Sequence, residues 1–384
     1  MPNTAILNIR NVKNSAGGPS GYLYNLLKGF NELDGVEIPD FIYMIDETSA
    51  RKQSNTAGVK NLFPGLRYIA YFFKQGLGFR KWFIGKISNY DTIHVHTSES
   101  AIYLRLFCRY KGHIILTPHR PEPIKNEMIE KFKKIKDGKY KLSAAFFDRM
   151  EELSYKCSDS FIFPCKEAQA IYGKFPGFEK NARNKNVGYV YTGIQKKTVS
   201  VNRVEYRKDH GIDSDAFLLG YVGRHNKIKG YDRLVTLFPM ITEMGVDVLV
   251  AGGNEGIDFP KSSHWSELGY IQDVQNFMNA VDVVVIPNRN TYFDLVILEA
   301  LSYGKIVITS NTGGNLSIAS DTKALILFDN TETDLLEKIR LVKGMNKSEL
   351  EELEKDAIRF YIEKCSCKAF AEGYIKALNT VISD

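Results

Sequence analysis

Two α/β domains, each a parallel sheet covered by helices, are what this sequence predicts, on three observations. Short apolar runs such as TAILNIR, HIILTPH, FLLGYVG and VDVLVAGG alternate with segments of helical period, which marks a parallel sheet with helical crossovers. A chain of 384 residues exceeds one ordinary core and suits two domains of roughly 150–200 residues. From Val281 to Asn315 a strand, a polar loop, a helix-like run, a second strand and the turn Gly313-Gly314 follow one another, which is one right-handed βαβ unit.

Each element has its own signal. TAILNIR is a strand, NSAGGPSGY a glycine loop, and the next segment has helical period, with Tyr22, Leu23, Leu26, Leu27 and Phe30 on one face. DFIYMID and DTIHVHT are strands, SAIYLRLFCRYK a helix and HIILTPH a buried strand. SDSFIFPC is a strand followed at once by the helix KEAQAIYGKF, and NVGYVYTGI closes the half. A charged segment, KKTVSVNRVEYRKDHGI, then leads into FLLGYVG (strand), YDRLVTLFPMIT (helix), VDVLVAGG (strand) and DVQNFMNA (helix). ALILF and two C-terminal helices finish the chain. The boundary falls near Thr192–Val201, giving domains 1–195 and 196–367.

Composition narrows the class. Apolar residues make up 44% and aromatic residues 12%, which suits a packed globular protein. No run of about 18 apolar residues marks a membrane span, and MPNTAILNIRNVKNSAGG lacks the basic segment, apolar core and cleavage site of a secretion signal. The five cysteines form no CxxC pair, so reduced thiols in the cytoplasm and no metal site are expected. Residues 1–195 hold 29 Lys and Arg against 18 Asp and Glu; the remainder holds 22 against 27. A basic first domain attracts phosphorylated substrates, anionic lipid or nucleic acid, or is a solvated lysine-rich surface. Leu66–Lys86 mixes aromatics with Arg and Lys and contains no acid. It reads as an amphipathic element able to rest on anionic lipid, or as a core helix with basic flanks. The segment KFKKIKDGKYK at 131–141 extends the same basic character.

The second half carries the chemistry. A helix N-terminus beside a glycine turn is a natural seat for phosphate. Glu299 stands about two turns into the helix-like run, placed to take a ribose hydroxyl pair. In GYVGRHNKIKG a strand ends at Gly223 and Arg224, Lys227 and Lys229 follow. Cations at the carboxyl end of a parallel strand face the ligand crevice, and Arg grips phosphate oxygens bidentately. Alone, such a turn is more often a solvated loop.

Together these motifs resemble the GT-B glycosyltransferases, in particular the large retaining group around family 4 (glycosyltransferases group 1). That family's signature is Glu, seven residues, Glu-Ala, then a Gly-Lys/Pro-Val strand. Glu299-Ala300 and Gly304-Lys305-Ile306-Val307 match it, whereas Thr291 stands where the first Glu belongs. The family's Gly-Arg and Lys-Gly pattern falls on Gly223-Arg224 and Lys229-Gly230. Its strand-to-helix Gly-Gly loop falls on Gly17 and Gly18, and its sugar-facing His on His119 after Thr-Pro. Phe293-Asp294-Leu295-Val296 departs from the family's glycine at Asp294. The Leu295 and Val296 amides still point at phosphate in this reading, and the Asp294 carboxylate replaces the one missing at Thr291 by holding a sugar hydroxyl. His94 and His96 share one strand face, with no third metal ligand identified.

The resemblance implies a GT-B fold, two Rossmann-like domains with parallel sheets facing across a cleft that holds the active site, and a final helix, 368–384, crossing back to the first domain. It implies transfer of a hexosyl group from a UDP- or GDP-type sugar to a saccharide or lipid-linked acceptor, with retention and no cofactor or metal. Bacterial surface polysaccharide assembly at the inner face of the membrane fits the basic first domain; nucleic acid is not an expected partner. A nucleotide-sugar 2-epimerase of the same fold and a catalytically silent GT-B partner subunit are the alternatives.

Overall fold

The computed structural model describes residues 3–10, 19–45, 64–134 and 141–383. They form two compact units, Met1–Tyr191 with Ala371–Asp384, and Thr192–Phe370.

In the first unit the strands are β1 (Thr4–Arg10), β2 (Asp40–Ile45), β3 (Thr92–Val95), β4 (His113–Leu116), β5 (Ser160–Phe163) and β6 (Val187–Tyr189). They make one sheet in the order β2-β1-β3-β4-β5-β6, with every pair parallel. The helices are α1 (Pro19–Phe30), α2 (Pro64–Lys86), α3 (Ser98–Ile102), α4 (Ile124–Lys134), α5 (Lys141–Cys157), α6 (Lys166–Tyr172) and α7 (Phe178–Ala182). The run read as one helix from Ser98 changes to a π turn at Tyr103–Phe107. Gly76 of α2 makes room for that turn, since a Cβ there would lie 2.6 Å from the Phe107 ring. β3 and β5 are buried along their whole length, which explains their unbroken apolar character.

The second unit repeats the plan. Its strands are β7 (Phe217–Val222), β8 (Val246–Ala251), β9 (Trp265–Glu267), β10 (Val283–Ile286), β11 (Ile306–Ser310) and β12 (Leu325–Phe328). The order is β12-β11-β10-β7-β8-β9, all parallel. Helices α8 (Arg203–Asp209), α9 (Tyr231–Glu243), α10 (Val274–Ala280), α11 (Leu295–Ser302), α12 (Asn315–Asp321), α13 (Glu332–Lys343) and α14 (Lys347–Phe360) cover it. The last helix, α15 (Cys367–Ile382), belongs to the first unit from Ala371 onward.

Three expectations need amending. The segment read as a charged connection contains α8, capped by Asn202, whose side chain accepts from the Glu205 amide. Its Arg207 is fully buried. It donates to the carbonyls of Ala280, Ser214 and Ala216 and to the Asp282 carboxylate at 2.8–2.9 Å, which is what a buried guanidinium requires. Three helices rather than two follow β12, and α4, α5, α7, β9 and α12 had no counterpart in the sequence reading.

In both sheets the chain order reverses direction once, between β1 and β3 and between β7 and β10. Ligands in open α/β sheets bind outside the carboxyl ends of the strands at such a switch point.

Candidate active site

At the switch point of the second unit, two loops meet: Gly223–Gly230 after β7 and Pro287–Asp294 after β10. Backbone geometry forces their approach. Gly230 has φ +68°, and a Cβ there would lie 1.9 Å from the Pro287 carbonyl oxygen, so only glycine fits. The Arg289 amide donates to the Ile228 carbonyl at 2.9 Å. The Arg289 guanidinium donates to the Lys227 carbonyl and grips Asp232 with two bonds of 2.6 and 2.9 Å. The turn after β7 is thus stapled to the loop after β10.

Within that frame Lys229 and Asp294 form an ion pair, Nζ to Oδ1 at 2.9 Å. The other Asp294 oxygen accepts from the Thr291 hydroxyl at 2.8 Å and from the Asn288 amide. Both candidates from the sequence thus meet in one cluster. Asp294 is buried with both oxygens engaged by side chains of the two loops. Lys229 carries a neighbouring counter-charge. Thr291, in place of the family's first carboxylate, is a buried donor to Asp294.

Asp294 is also the N-cap residue of α11, yet its side chain makes no capping bond. The first amides of a helix have no partner inside it, and among the described residues Leu295 and Val296 show no other acceptor for theirs, at a helix end whose dipole favours anions. Phe293, half-buried, precedes them. Glu299 is the fifth residue of α11, about one turn in rather than two. It is half-buried, and among the described residues its carboxylate has no hydrogen-bond donor. Burial pushes its pKa above the usual carboxylate range, partly offset by Lys197. An acceptor held this way suits a pair of hydroxyl donors.

Arg224 is well exposed and meets Glu255 only at 3.4 Å; its carbonyl accepts from the Tyr221 hydroxyl at 2.8 Å. Gly223 supports the turn by closeness: a Cβ on Gly252, at φ +149°, would lie 1.8 Å from the Gly223 oxygen. The Gly313-Gly314 turn departs from expectation. The Gly314 amide is spent on the Tyr292 carbonyl at 3.0 Å, and Gly313 (φ +53°) abuts the Thr291 carbonyl. The turn braces the loop, and the Gly314 amide is engaged within it.

In the first unit, His119 follows β4 and its Nε2 lies 3.0 Å from His96 Nδ1. The Tyr22 ring sits 5.1 Å from both imidazoles. His94 is tied at both nitrogens, to the Tyr374 hydroxyl at 2.7 Å and the Thr117 hydroxyl at 2.8 Å. Burial pushes His94 and His119 down to about 3 and His96 well below its ordinary value, with the neighbouring imidazoles adding to it for His94 and His96 and Arg120 for His119. All three are neutral at physiological pH. Among the described residues the buried Nε2 of His96 has no partner. A bare acceptor there costs less than an orphaned N–H, so His96 donates through Nδ1, His119 accepts at Nε2, and the proton of His119 sits on Nδ1. No group of three metal-ligating side chains comes together among the described residues. The five cysteines are free thiols. Gly17 and Gly18 lie outside the described residues.

A family model for Glycosyltransferase Family 4 matches residues 16–194, and one for Glycosyl transferases group 1 matches 216–342. The chain belongs to the GT-B glycosyltransferases of family 4 and group 1. It is 28% identical over 162 residues to the O-antigen biosynthesis glycosyltransferase WclY of Escherichia coli, covering 40% of this chain and 43% of that one. The match therefore spans less than half the length of that relative. A 41.2 kDa protein of the cps region of Klebsiella pneumoniae is 23% identical over 315 residues, 78% of each chain. The fold matches Anabaena HepE, solved with UDP and glucose, at a TM-score of 0.64 and 15% identity, over 99% of this chain and 100% of that one.

In this chain, sequence reasoning brought Arg224, Lys229, Thr291, Asp294, Leu295, Val296 and Glu299 to one sheet edge. It missed Asn288, Asp232 and Arg289. Their only trace was polarity in PNRN and YDR, which any surface loop shares.

Proposed function

We propose that this glycosyltransferase moves a sugar from a UDP- or GDP-type donor to a saccharide acceptor carried on a lipid, with retention and without a metal, in bacterial surface polysaccharide assembly. The observation that carries the donor reading is Glu299, a half-buried carboxylate without a hydrogen-bond donor among the described residues, one helical turn behind the first amides of α11 at Leu295 and Val296. The open helix end and Arg224 offer positive charge to the diphosphate, which suits stabilisation of a leaving group without a divalent ion. His119, neutral and with its proton on Nδ1, supplies a donor to a sugar hydroxyl that is insensitive to pH. The UDP and glucose bound by HepE, and the O-antigen and cps settings of the relatives, support the donor and the pathway class.

The test is a donor-hydrolysis assay across UDP- and GDP-sugars in the presence of EDTA, with the anomeric configuration of the released sugar read by NMR. Slow release of nucleoside diphosphate and retained configuration are expected. A free epimer, inverted sugar or loss of activity in EDTA overturns the corresponding part of the proposal.

A further inference from the structure

Helix α2 has two apolar faces, and only one is used. Phe72, Phe79 and Phe83 are buried in the first unit. Leu66, Phe73, Leu77 and Ile84 are instead 40%, 51%, 59% and 62% exposed. At about 100° per residue, these four lie within about 40° of one another, in a line along the solvent side of the helix. Single exposed apolar residues are ordinary, whereas an aligned row of four large ones marks a contact surface.

The flanks identify the partner. Arg67, Lys74 and Lys81 lie on one side of the row and Arg80 on the other, all exposed. Pro64–Lys86 contains no Asp or Glu. Protein interfaces are depleted in lysine, while a greasy stripe edged by cations is what an anionic bilayer surface holds. No helix among the described residues is long and apolar enough to cross a membrane, so the helix lies along the surface rather than through it. We infer that α2 docks flat on anionic lipid, with Leu66, Phe73, Leu77 and Ile84 in the acyl boundary and the four cations at the headgroups. This extends the lipid-linked acceptor proposed above, and the two are tested separately: donor hydrolysis in solution reads that proposal, lipid binding this one.

The experiment is flotation of the full chain with vesicles of phosphatidylcholine alone or mixed with phosphatidylglycerol. Binding to the anionic vesicles is expected, falling with salt as exposed charges are screened. The double variant Phe73→Ser/Leu77→Ser should bind at least about tenfold less, and Lys74→Glu/Lys81→Glu about tenfold less or worse, since each surface cation contributes on the order of 1 kcal/mol. Leu77→Trp, which keeps an apolar side chain, should show a blue-shifted emission on mixing and reads insertion independently of the serine variants. Unchanged flotation of both double variants, or no shift from Leu77→Trp, overturns the inference. A dimer that Phe73→Ser/Leu77→Ser converts to monomer, with no vesicle binding by the wild type, assigns the stripe to a second copy of the chain instead.

Discussion

Lys229 Nζ and Asp294 Oδ1 lie 2.9 Å apart, joining the loop after the first strand of the second sheet to the N-terminus of α11. A carboxylate beside the first amides of α11 repels an anionic ligand, and here it also pairs with Lys229. Asp294→Asn keeps acceptor capacity for Thr291 and Asn288 and removes the charge. It should tighten nucleoside diphosphate binding and lower stability by about 1–3 kcal/mol, the ordinary cost of losing a charged hydrogen-bond partner. Calorimetry and urea unfolding check both signs. Weaker diphosphate binding in the variant would show that Asp294 serves the ligand directly.

Glu299→Ala should weaken nucleoside diphosphate binding by about 1–3 kcal/mol, and the 2′-deoxy diphosphate should bind wild type and variant alike. The pH dependence has a definite sign. The Glu299 pKa is raised, and the ionised form accepts the diol, so affinity falls as pH drops toward that raised value, at higher pH than for an ordinary glutamate. A full-strength ribose complex in the variant would sink the assignment.

Arg224→Ala should reduce kcat more than donor affinity, because its charge matters most as the diphosphate departs. Its exposed 3.4 Å pair with Glu255 contributes little to folding. Unfolding free energy should therefore stay within about 0.5 kcal/mol of wild type. Near-normal turnover would reduce the Gly223–Gly230 turn to a solvated loop.

The neutral histidines of the first unit predict acid lability. His94 has a folded pKa near 3 against about 6.5 unfolded. The unfolded chain thus takes up the proton first, and stability is lost as pH falls below about 6.5, by up to roughly 1.4 kcal/mol per pH unit for one such group. His94→Gln should flatten that limb when urea unfolding is compared at pH 7, 6 and 5. For the same reason His119 should add no acid limb to turnover between pH 5 and 8. Its ring nitrogen shifts in NMR should report the proton on Nδ1, and His96→Phe, which removes the donor to Nε2, should abolish that preference.

Periodicity located most strands, because a strand buried on both faces must be apolar throughout; VVVI of β10 and IVITS of β11 could be nothing else. The sequence alone therefore determined two parallel-sheet domains, the family resemblance that the comparisons bear out, and the segments expected at the sheet edge. It placed Arg224, Asp294 and Glu299 within a few loops of one another without saying which of them were free. That was decided by tertiary structure. Charge pairing depends on distances between residues 65 positions apart, such as Lys229 and Asp294, and local pattern does not carry them. Arg207 shows the same limit: within RVEYRKD it reads as one more solvated cation, and only the carbonyls converging from Ser214, Ala216 and Ala280 make its burial tolerable. The amphipathic row on α2 was visible as composition, but which of its two apolar faces meets the core depends on where α5 and the π turn lie, and that is a property of the folded unit.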